Sequence, residues 1–512
     1  MIRLSLFFSL LLITLPAAAQ RYMMGETFDE AAYNALPLKA KISTRSILPP
    51  RVSLEQYAPT PGDQGPYGTC SSWASAYHFR TIIEAKQRGV EDQAAIDQLA
   101  YSPTWVNEIL KQDEDETCNM GLSTVNTLAV FQKLGVPSYA SLPFACMTGT
   151  REERLTELDA YFEEAQAARI RDLQILFKTE PVVSAEEKIR TIKKVLAEGY
   201  PVLVSHILFE SFQTAKDVWK VTPQEKLHPE HGRHAMVIVG YDDEKYGGAF
   251  RYLNSWGTGW GDGGFTWVPY ETTGELCYGA YQAFPFPVNP HPAPAPTPEP
   301  PAPAPTPMPS PPQPKPAPAP IAAEAPSGGI EFVLRNGETM PVSRVSTRNL
   351  IVEDDDGSAP AAPAYRMREA YPSGTRFRFY LETKVEGYLY AFASDLSRQV
   401  NRIFPYDNSV SPLVGRNSII PFPADTKVIR MDNNPGTDYL MVLFSQQALD
   451  VNKLELRMAE VEGGLATKLR AALGDALIDP SQINYAANQV GFEVVGETAG
   501  TVVPILIELR HD

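Results

Sequence analysis

Residues 62–74 read GDQGPYGTCSSWA, a loop rich in glycine that turns helix-compatible at Cys70. Glycine and proline force a loop up to Thr69, whereas the residues from Cys70 to about Lys86 suit a helix. Cys70 is therefore expected at a helix N-terminus, where unpaired N–H groups and the helix dipole favour a thiolate over a thiol. These features make Cys70 a candidate nucleophile.

Gln64 lies six residues before Cys70, on the loop that leads to the start of the helix. A side-chain amide at that place, together with the backbone N–H of Cys70, would form an oxyanion hole with two donors. Such a hole stabilises the negative charge that develops on a carbonyl oxygen under attack. Gln64 is accordingly a candidate catalytic residue.

A candidate base lies at residues 234–241, which read HAMVIVGY. A histidine that opens an apolar β run is held rigidly, as a general base must be, which selects His234. Residues 254–265 read NSWGTGWGDGGF. Asn254, at the end of a short strand, can accept the imidazole N–H and fix its tautomer. Trp256 can cover that hydrogen bond and exclude water.

These three motifs resemble those of the papain family of cysteine peptidases. QGxxGTC, HAxxIVGY and NSWGxGWGDGG occur in the family's order and with comparable spacings over residues 48–286. The resemblance implies an α+β, two-lobed fold, with a cleft between a helical lobe and a β-barrel-like lobe. It assigns Cys70 as the nucleophile and His234 as the acid and base. It assigns Asn254 as the orienting residue and Gln64 as the oxyanion donor, with no cofactor or metal.

The resemblance also marks residues that bind substrate. CNMG at residues 118–121 is similar to the family's CNGG turn, whose backbone pairs with substrate, so Met120 and Gly121 are assigned to a subsite. Met120 replaces a glycine of that turn, which changes the shape of the subsite. Ala235, next to the base, is expected to border the main specificity pocket, and Trp256 is assigned to the same cleft.

Only four cysteines occur in the 512 residues, which excludes a disulfide-dense scaffold. The family's cysteine in the loop before the nucleophile is absent here, because Tyr67 stands in its place. The usual partner of that cysteine corresponds to Cys118, which is therefore free to pair with another cysteine. We choose Cys146 as its partner and expect Cys277 to be a buried thiol.

Residues 1–19 carry one positive charge, an apolar run of about a dozen residues and three alanines before Gln20. This pattern is typical of a secretory signal peptide. The apolar run is too short to span about 30 Å of hydrocarbon as a helix. We expect cleavage after Ala19 and a secreted or periplasmic protein without a transmembrane segment.

Two segments of the chain keep alternative interpretations. Residues 20–47 form an extension that is too short for the family's usual inhibitory prodomain of several helices. Either no propeptide restrains the activity, or the restraint comes from elsewhere. Residues 151–199 are dense in Glu, Arg and Ala and are expected to be helical, either as a solvated hairpin or as an insertion near the cleft.

Proline is concentrated in one segment, with 18 of the 46 prolines between Pro287 and Pro320. Because proline lacks a backbone donor and fixes φ, we expect residues 287–326 to form a semi-rigid polyproline II linker.

Residues 330–512 are expected to form a separate β-rich accessory domain. Its residues show no catalytic constellation, and GYLYAF, IFP and GTDYLMVLFS resemble a domain of unknown function appended to bacterial exported and signalling proteins. We expect this domain to bind an envelope or protein partner. Alternating residues predict four strands, at 376–381, 388–392, 439–444 and 502–509. Apolar spacing predicts a helix through Leu454, Met458, Val461, Leu465 and Leu469.

The net charge of −16 argues against nucleic acid as a partner, because phosphate contacts need clustered cations. His228, His231 and His234 are spaced three apart, which hints at a metal site. Pro229 and Gly232 break the helix that would align them, so no metal site is expected.

The motifs predict an exported cysteine peptidase that acts on protein or peptide substrates through a thioester acyl-enzyme. Two alternatives remain open. One is a binding protein on an inactive peptidase fold, against which the intact set of four residues argues. The other is a different Cys-His acyl-transfer enzyme, such as a transglutaminase-like enzyme or a cell-wall amidase, which Asn254 in place of aspartate disfavours.

Overall fold

The computed structural model describes residues 22–227, 231–287, 324–345, 364–394, 400–424 and 426–512. The predicted signal peptide and most of the predicted linker, residues 288–323, lie outside these ranges. Within them, every helix is too short or too polar to cross a membrane.

The described residues from 22 to 285 contribute helices and strands to one α+β unit. In chain order these elements are β1 (Glu26–Thr27), α1 (Glu30–Ala35), β2 (Arg51–Ser53), α2 (Cys70–Ser72), α3 (Thr81–Arg88), α4 (Gln93–Gln98), α5 (Pro103–Leu110), β3 (Leu122–Ser123), α6 (Thr124–Lys133), α7 (Arg151–Leu158), α8 (Phe162–Ala167), β4 (Ile170–Ile175), α9 (Ala185–Ala197), β5 (Val202–Leu208), α10 (Pro223–Lys226), β6 (Gly232–Asp242), β7 (Ala249–Leu253), β8 (Phe265–Pro269), α11 (Tyr270–Leu276) and β9 (Cys277–Pro285).

The helical lobe is built around one continuous helix that begins at Cys70, as the loop sequence predicts. The helix starts as α2, has π-helical geometry over Trp73–Arg80 and ends as α3. Gly89 closes it in the left-handed conformation with φ +66°, which glycine adopts without steric cost. Nearly every side chain from Cys70 to Ala85 is buried, so packing on all sides holds the helix of the candidate nucleophile in place.

The second lobe is an antiparallel sheet in the order β4-β9-β5-β6-β7-β8, with β2 added on β6. His234 lies near the start of β6, whose residues from His234 to Tyr241 are all buried. β7 ends at Leu253, directly before Asn254, and it pairs with β6. The two neighbouring strands therefore bring His234 and Asn254 together, although twenty residues separate them.

The expectation of a helical segment at residues 151–199 is partly wrong. α7, α8 and α9 are helices, but β4 (Ile170–Ile175) lies between them and pairs with β9. Leu173 and Ile175 of this strand are buried in the core of the unit. The strand belongs to the main sheet, and the region is therefore neither a solvated hairpin nor an insertion near the cleft.

The accessory domain is a β-sandwich with two helices. Its elements are β10 (Ser327–Leu334), β11 (Val342–Arg344), β12 (Ala364–Met367), β13 (Arg376–Thr383), β14 (Gly387–Ser394), β15 (Val400–Phe404), β16 (Leu413–Val414), β17 (Ser418–Phe422), β18 (Ile429–Arg430), β19 (Gly436–Ser445), α12 (Val451–Glu460), α13 (Leu465–Leu473), β20 (Ile483–Tyr485), β21 (Val490–Val494) and β22 (Val502–His511).

Two sheets form this sandwich. One has the order β17-β13-β10-β21-β20, with β18 on β13, and the other has the order β11-β12-β22-β19-β14-β15, with β16 on β14. Leu389 and Ala391 of β14 lie in the core between the sheets, whereas Tyr388, Tyr390 and Phe392 lie in a second apolar cluster with residues of α12, α13 and β9. Both faces of β14 therefore carry apolar or aromatic side chains, because each face is covered.

The N-terminal extension joins the two domains. Leu38 donates its N–H to the carbonyl of Ser409 at 2.7 Å, and Lys39 donates to the carbonyl of Ile175 at 2.8 Å. Lys39 also forms a buried ion pair of 2.9 Å with Glu198. The extension therefore bonds to the sheet of the α+β unit and to the accessory domain at adjacent residues.

Candidate active site

Cys70 is fully buried at the start of its helix. Its thiol sulfur accepts a hydrogen bond from the N–H of Gly25 at 3.4 Å and is bonded by the backbone of Ala235. Burial raises the pKa of the Cys70 thiol to about 11, and the nearby carboxylate of Glu26 adds to this rise. In this state of the cleft the thiol is protonated at neutral pH.

The imidazole of His234 is held by Asn254, with 2.7 Å between Nε2 and Oδ1. The same oxygen accepts the N–H of Ser255 at 2.8 Å, which fixes the amide. Nδ1 of His234 is buried and has no hydrogen-bond partner in the described part of the chain. Trp256 covers the pair, with its ring centroid 5.0 Å from that of the imidazole.

Burial lowers the pKa of His234 to about 4, and the bond to Asn254 only partly opposes this effect. The imidazole is therefore neutral at neutral pH, with the proton placed on Nε2 by Asn254 and a free lone pair on Nδ1. A neutral imidazole with an unoccupied nitrogen is the form that can take a proton.

Gln64 is buried, and its side-chain amide is oriented from both ends. The hydroxyl of Ser255 donates to Oε1 at 2.6 Å. On the other side, Nε2 donates to the carbonyl of Tyr67 at 2.7 Å and to the carbonyl of Met23 at 3.1 Å. The amide thus presents its N–H group to a backbone carbonyl in the cleft.

Residues 22–27, here named the covering segment, lie across the cleft. Tyr22 stacks on Trp256, with 4.6 Å between ring centroids and 7° between planes. The side chain of Gln213 bonds both backbone groups of Tyr22, at 2.9 and 3.0 Å. At the other end, β1 pairs in parallel with β3, so Glu26 lies opposite Leu122.

Gly25 lies at the closest approach between the covering segment and the cleft. A Cβ atom there would lie 1.9 Å from the carbonyl oxygen of Gly68, and one at Gly121 would lie 2.0 Å from the carbonyl oxygen of Gly25. The carbonyl of Gly25 also accepts the N–H of Leu122 at 2.9 Å. Only glycine fits at positions 25 and 121 while the segment is bound.

Two successive peptide groups of the covering segment engage the two candidate catalytic groups. The carbonyl of Met23 bonds Gln64, and the N–H of Gly25 bonds Cys70. Nucleophilic attack requires the oxyanion donor and the nucleophile to act on the same carbonyl group. The segment therefore covers the nucleophile without being aligned for its own cleavage.

Glu26 places its carboxylate in a closed pocket beside Cys70. The carboxylate accepts hydrogen bonds from Thr124 Oγ1 at 2.8 Å and from the Tyr278 hydroxyl at 2.6 Å, and a third from the hydroxyl of Ser205. Burial nevertheless raises the pKa of Glu26 to about 7. The hydrogen bonds thus compensate only part of the cost of burying the charge.

The remaining residues predicted from the sequence lie along the same cleft. Ala235 is buried beside the thiol, Gly121 touches the covering segment, and Met120 is 54% exposed at the rim. Cys118 forms a disulfide with Cys146, with 6.0 Å between Cα atoms. Cys277 is a free, buried thiol, as expected.

Comparison with known proteins assigns the family. The family model described as papain family cysteine protease matches residues 62–284. The chain carries a papain-family cysteine protease domain. This match assigns residues 62–284 to a family of cysteine-type hydrolases. A model of a domain of unknown function, DUF4384, matches residues 370–448 in the accessory domain.

Individual relatives share the protease domain. An uncharacterised peptidase C1-like protein of Acanthamoeba polyphaga mimivirus is 27% identical over 254 residues, which are 48% of this chain and 76% of the relative. Xylellain, a cysteine protease from Xylella fastidiosa, is 20% identical, and the match covers 53% of this chain and 99% of that protein with a TM-score of 0.40. Procathepsin B S9 from Trypanosoma congolense is 15% identical over 51% of this chain and 86% of that protein, with a TM-score of 0.38.

The sequence motifs did not indicate the covering segment or the pocket for Glu26. Residues 20–47 have no strong hydrophobic period, and the hydroxyls around Glu26 come from three distant elements. The pair Gly25 and Gly121 is the one signal that was available, since each is a glycine at a close backbone approach.

Proposed function

We propose that the chain is an exported cysteine peptidase that hydrolyses peptide bonds through Cys70, His234, Asn254 and Gln64. The observation that carries this proposal is the bond from His234 Nε2 to Asn254 Oδ1, which leaves Nδ1 available as a proton acceptor. This arrangement supplies a base of fixed tautomer beside a buried thiol in a papain-family protease domain.

In the proposed reaction, His234 Nδ1 takes the thiol proton and the Cys70 sulfur attacks the scissile carbonyl carbon. The oxyanion is stabilised by Gln64 Nε2 and the backbone N–H of Cys70. When the tetrahedral intermediate collapses, His234 donates the proton to the leaving amine and a thioester remains. His234 then takes a proton from water, whose oxygen attacks the thioester and releases the acid and the thiol.

The covering segment makes the described form latent. It occupies Gln64 and Cys70 with its own peptide groups, and its burial of the site keeps the thiol and the imidazole neutral. Substrate can enter only after this segment is displaced or removed. The restraint therefore comes from six residues rather than from a prodomain of several helices.

Export and the role of the accessory domain belong to the same proposal. The signal-peptide pattern at residues 1–19 supports export, and the disulfide between Cys118 and Cys146 suits an oxidising compartment. The accessory domain would hold the protease near an envelope or protein partner.

The test uses the full chain carrying Gly25→Val, in which the covering segment cannot bind in the cleft. We expect this variant to hydrolyse an unfolded protein substrate in reductant and to gain one adduct mass from an epoxide inhibitor of papain-like enzymes. Adding Cys70→Ala should abolish both results. Absence of adduct and of hydrolysis in the Gly25→Val protein would contradict the proposal and favour an inactive binding protein.

A further inference from the structure

The pocket that holds Glu26 is polar on several sides. Thr124 at the start of α6, Ser205 in β5 and Tyr278 in β9 each direct a hydroxyl at the same carboxylate. Arg233 of β6 adds a favourable charge, and its guanidinium lies 5.5 Å from the centroid of the Tyr278 ring. Residues of four separate elements thus surround the side chain of Glu26, which is only 6% exposed.

Hydroxyl groups can donate or accept hydrogen bonds. The pocket can therefore satisfy a carboxylate, a protonated carboxyl group or a carboxamide at the end of a side chain of glutamate length. An apolar side chain of the same size would leave buried hydroxyls without partners, which is unfavourable. A lysine would add a second cation beside Arg233.

The pocket adjoins the nucleophile. Gly25 bonds the Cys70 sulfur, and the side chain of the next residue, Glu26, fills the pocket. The pairing of β1 with β3 starts immediately after Gly121. A peptide strand that lies in the cleft along β3 therefore delivers one of its side chains into this pocket.

We infer that this pocket recognises glutamate or glutamine in protein substrates, and that Glu26 is an internal ligand for the same site. The inference rests on the proposed peptidase function, because a recognition pocket needs a substrate. It assigns Thr124, Ser205 and Tyr278 as specificity-determining residues, which the sequence motifs do not mark.

The first experiment tests the chemistry of the pocket without requiring turnover. The rate at which the epoxide inhibitor labels Cys70 is measured for the full chain and for Glu26→Gln and Glu26→Leu, by intact mass. At pH 4.5, where the carboxyl group of Glu26 is protonated, we expect Glu26→Gln to label as slowly as the unaltered chain and Glu26→Leu at least about tenfold faster, because the lost hydrogen bonds release the segment. Equal or slower labelling of Glu26→Leu would overturn the inference.

The second experiment identifies the substrate class. The Gly25→Val chain is incubated with a peptide library, and the cleaved bonds are located by mass spectrometry. We expect Glu and Gln to be enriched at one position near the cleaved bond, and Tyr278→Phe to reduce that enrichment. Tyr57→Phe is the matched control, because Tyr57 bonds Glu91 at the surface.

The outcomes separate the two claims. Cleavage with aliphatic or aromatic residues enriched at every position near the bond would overturn the inference and leave the peptidase proposal intact. Enrichment of Glu and Gln that Tyr278→Phe does not change would also contradict it. Absence of any cleavage, with the expected order of labelling rates, would instead overturn the peptidase proposal.

Discussion

The N–H of Gly25 donates a hydrogen bond to the thiol sulfur of Cys70 at 3.4 Å, across 45 residues of chain. Gly25 lies outside residues 62–284, which the family model matches. A backbone group of the N-terminal extension thus occupies the place at which the proposed reaction needs the peptide group of a substrate. This contact and the groups around it govern access to the Cys70 sulfur.

Replacing Gly25 with valine should expose the nucleophile. The new side chain would begin 1.9 Å from the carbonyl oxygen of Gly68, a backbone atom that cannot move aside cheaply. We expect Cys70 to react with the epoxide inhibitor at least about tenfold faster than in the unaltered chain. Weakening the docking free energy of the covering segment by about 1.4 kcal/mol already gives a factor of ten. The measurement is the rate of adduct formation by intact mass.

The matched control for this change is Gly464→Val. Gly464 precedes α13 in the accessory domain, and a Cβ atom there meets nothing within 4 Å. Its labelling rate should equal that of the unaltered chain. A Gly25→Val rate no higher than the Gly464→Val rate would show that the covering segment does not limit access to Cys70.

The docking of the covering segment should depend on pH through Glu26. Burial raises its pKa from the ordinary 4.5 to about 7, so docking takes up a proton at this carboxyl group. This contribution is fully present below about pH 4.5 and declines by at most about tenfold per pH unit up to about pH 7. Thr124, Ser205, Tyr278 and Arg233 are the polar groups that face it.

His234 and Cys70 also change their pKa values when the covering segment docks. The Glu26→Gln variant separates the effect of Glu26 from theirs. The pKa of His234 is lowered from 6.5 to about 4, so its contribution to docking is lost as pH falls below 6.5. The pKa of Cys70 is raised from 9 to about 11, so its contribution is constant below about pH 9 and is lost only above that pH. The labelling rate of the unaltered chain divided by that of Glu26→Gln isolates the glutamate. We expect this ratio to rise up to about 100-fold between pH 4.5 and 7; a flat ratio would contradict the role of Glu26.

Gln64 and Ser255 should affect turnover more than binding. In the Gly25→Val chain, Gln64→Ala removes one oxyanion donor and should lower kcat by about 100-fold. Ser255→Ala leaves the amide in place but removes the hydroxyl that orients it at 2.6 Å, so we expect about a tenfold loss of kcat with KM unchanged. Ser255 is thus a positioning residue.

The positioning role requires that kcat falls while KM stays unchanged. An equal rise of KM in the Ser255→Ala chain would indicate a damaged binding surface. Unchanged kcat in Gln64→Ala would contradict the assignment of its amide to the oxyanion hole.

The disulfide between Cys118 and Cys146 should stabilise the loop before the nucleophile. It closes a 28-residue separation, and the carbonyl of Cys118 accepts the N–H of Gly68 at 2.9 Å. Replacing both cysteines with serine should lower the free energy of unfolding by about 3–4 kcal/mol in the chain-entropy model. Urea denaturation measures this change, and reductant should destabilise the unaltered chain but not the double variant.

The start of the nucleophile's helix and the pairing of His234 with Asn254 could be anticipated from sequence, because each depends on local signals. The loop glycines end at Cys70, and an apolar run marks β6. The single helix predicted through Leu454 and Leu469 is instead α12 and α13, because Gly463 adopts a φ of +118° between them. α12 ends at Glu460, where Val461 becomes extended, and the positive φ of Gly463 then lets the chain turn before α13 begins.

The covering segment and the pocket for Glu26 could not be anticipated for a different reason. Their contacts join residues that are about 40 to 250 positions apart, such as Gly25 with Cys70 and Glu26 with Tyr278. No periodicity within one segment carries that information. β4 was missed similarly, since Ile170–Ile175 is a strand through its pairing with β9.

The extension that bonds Ser409 through Leu38 also carries Tyr22–Thr27 into the cleft. While the chain between them is intact, coverage of the cleft is intramolecular and its effective concentration does not change with dilution. A cut after Ala35 would leave the same residues as a free peptide that dissociates from the cleft. Latency of the nicked protein would then depend on its concentration, whereas that of the intact chain would not.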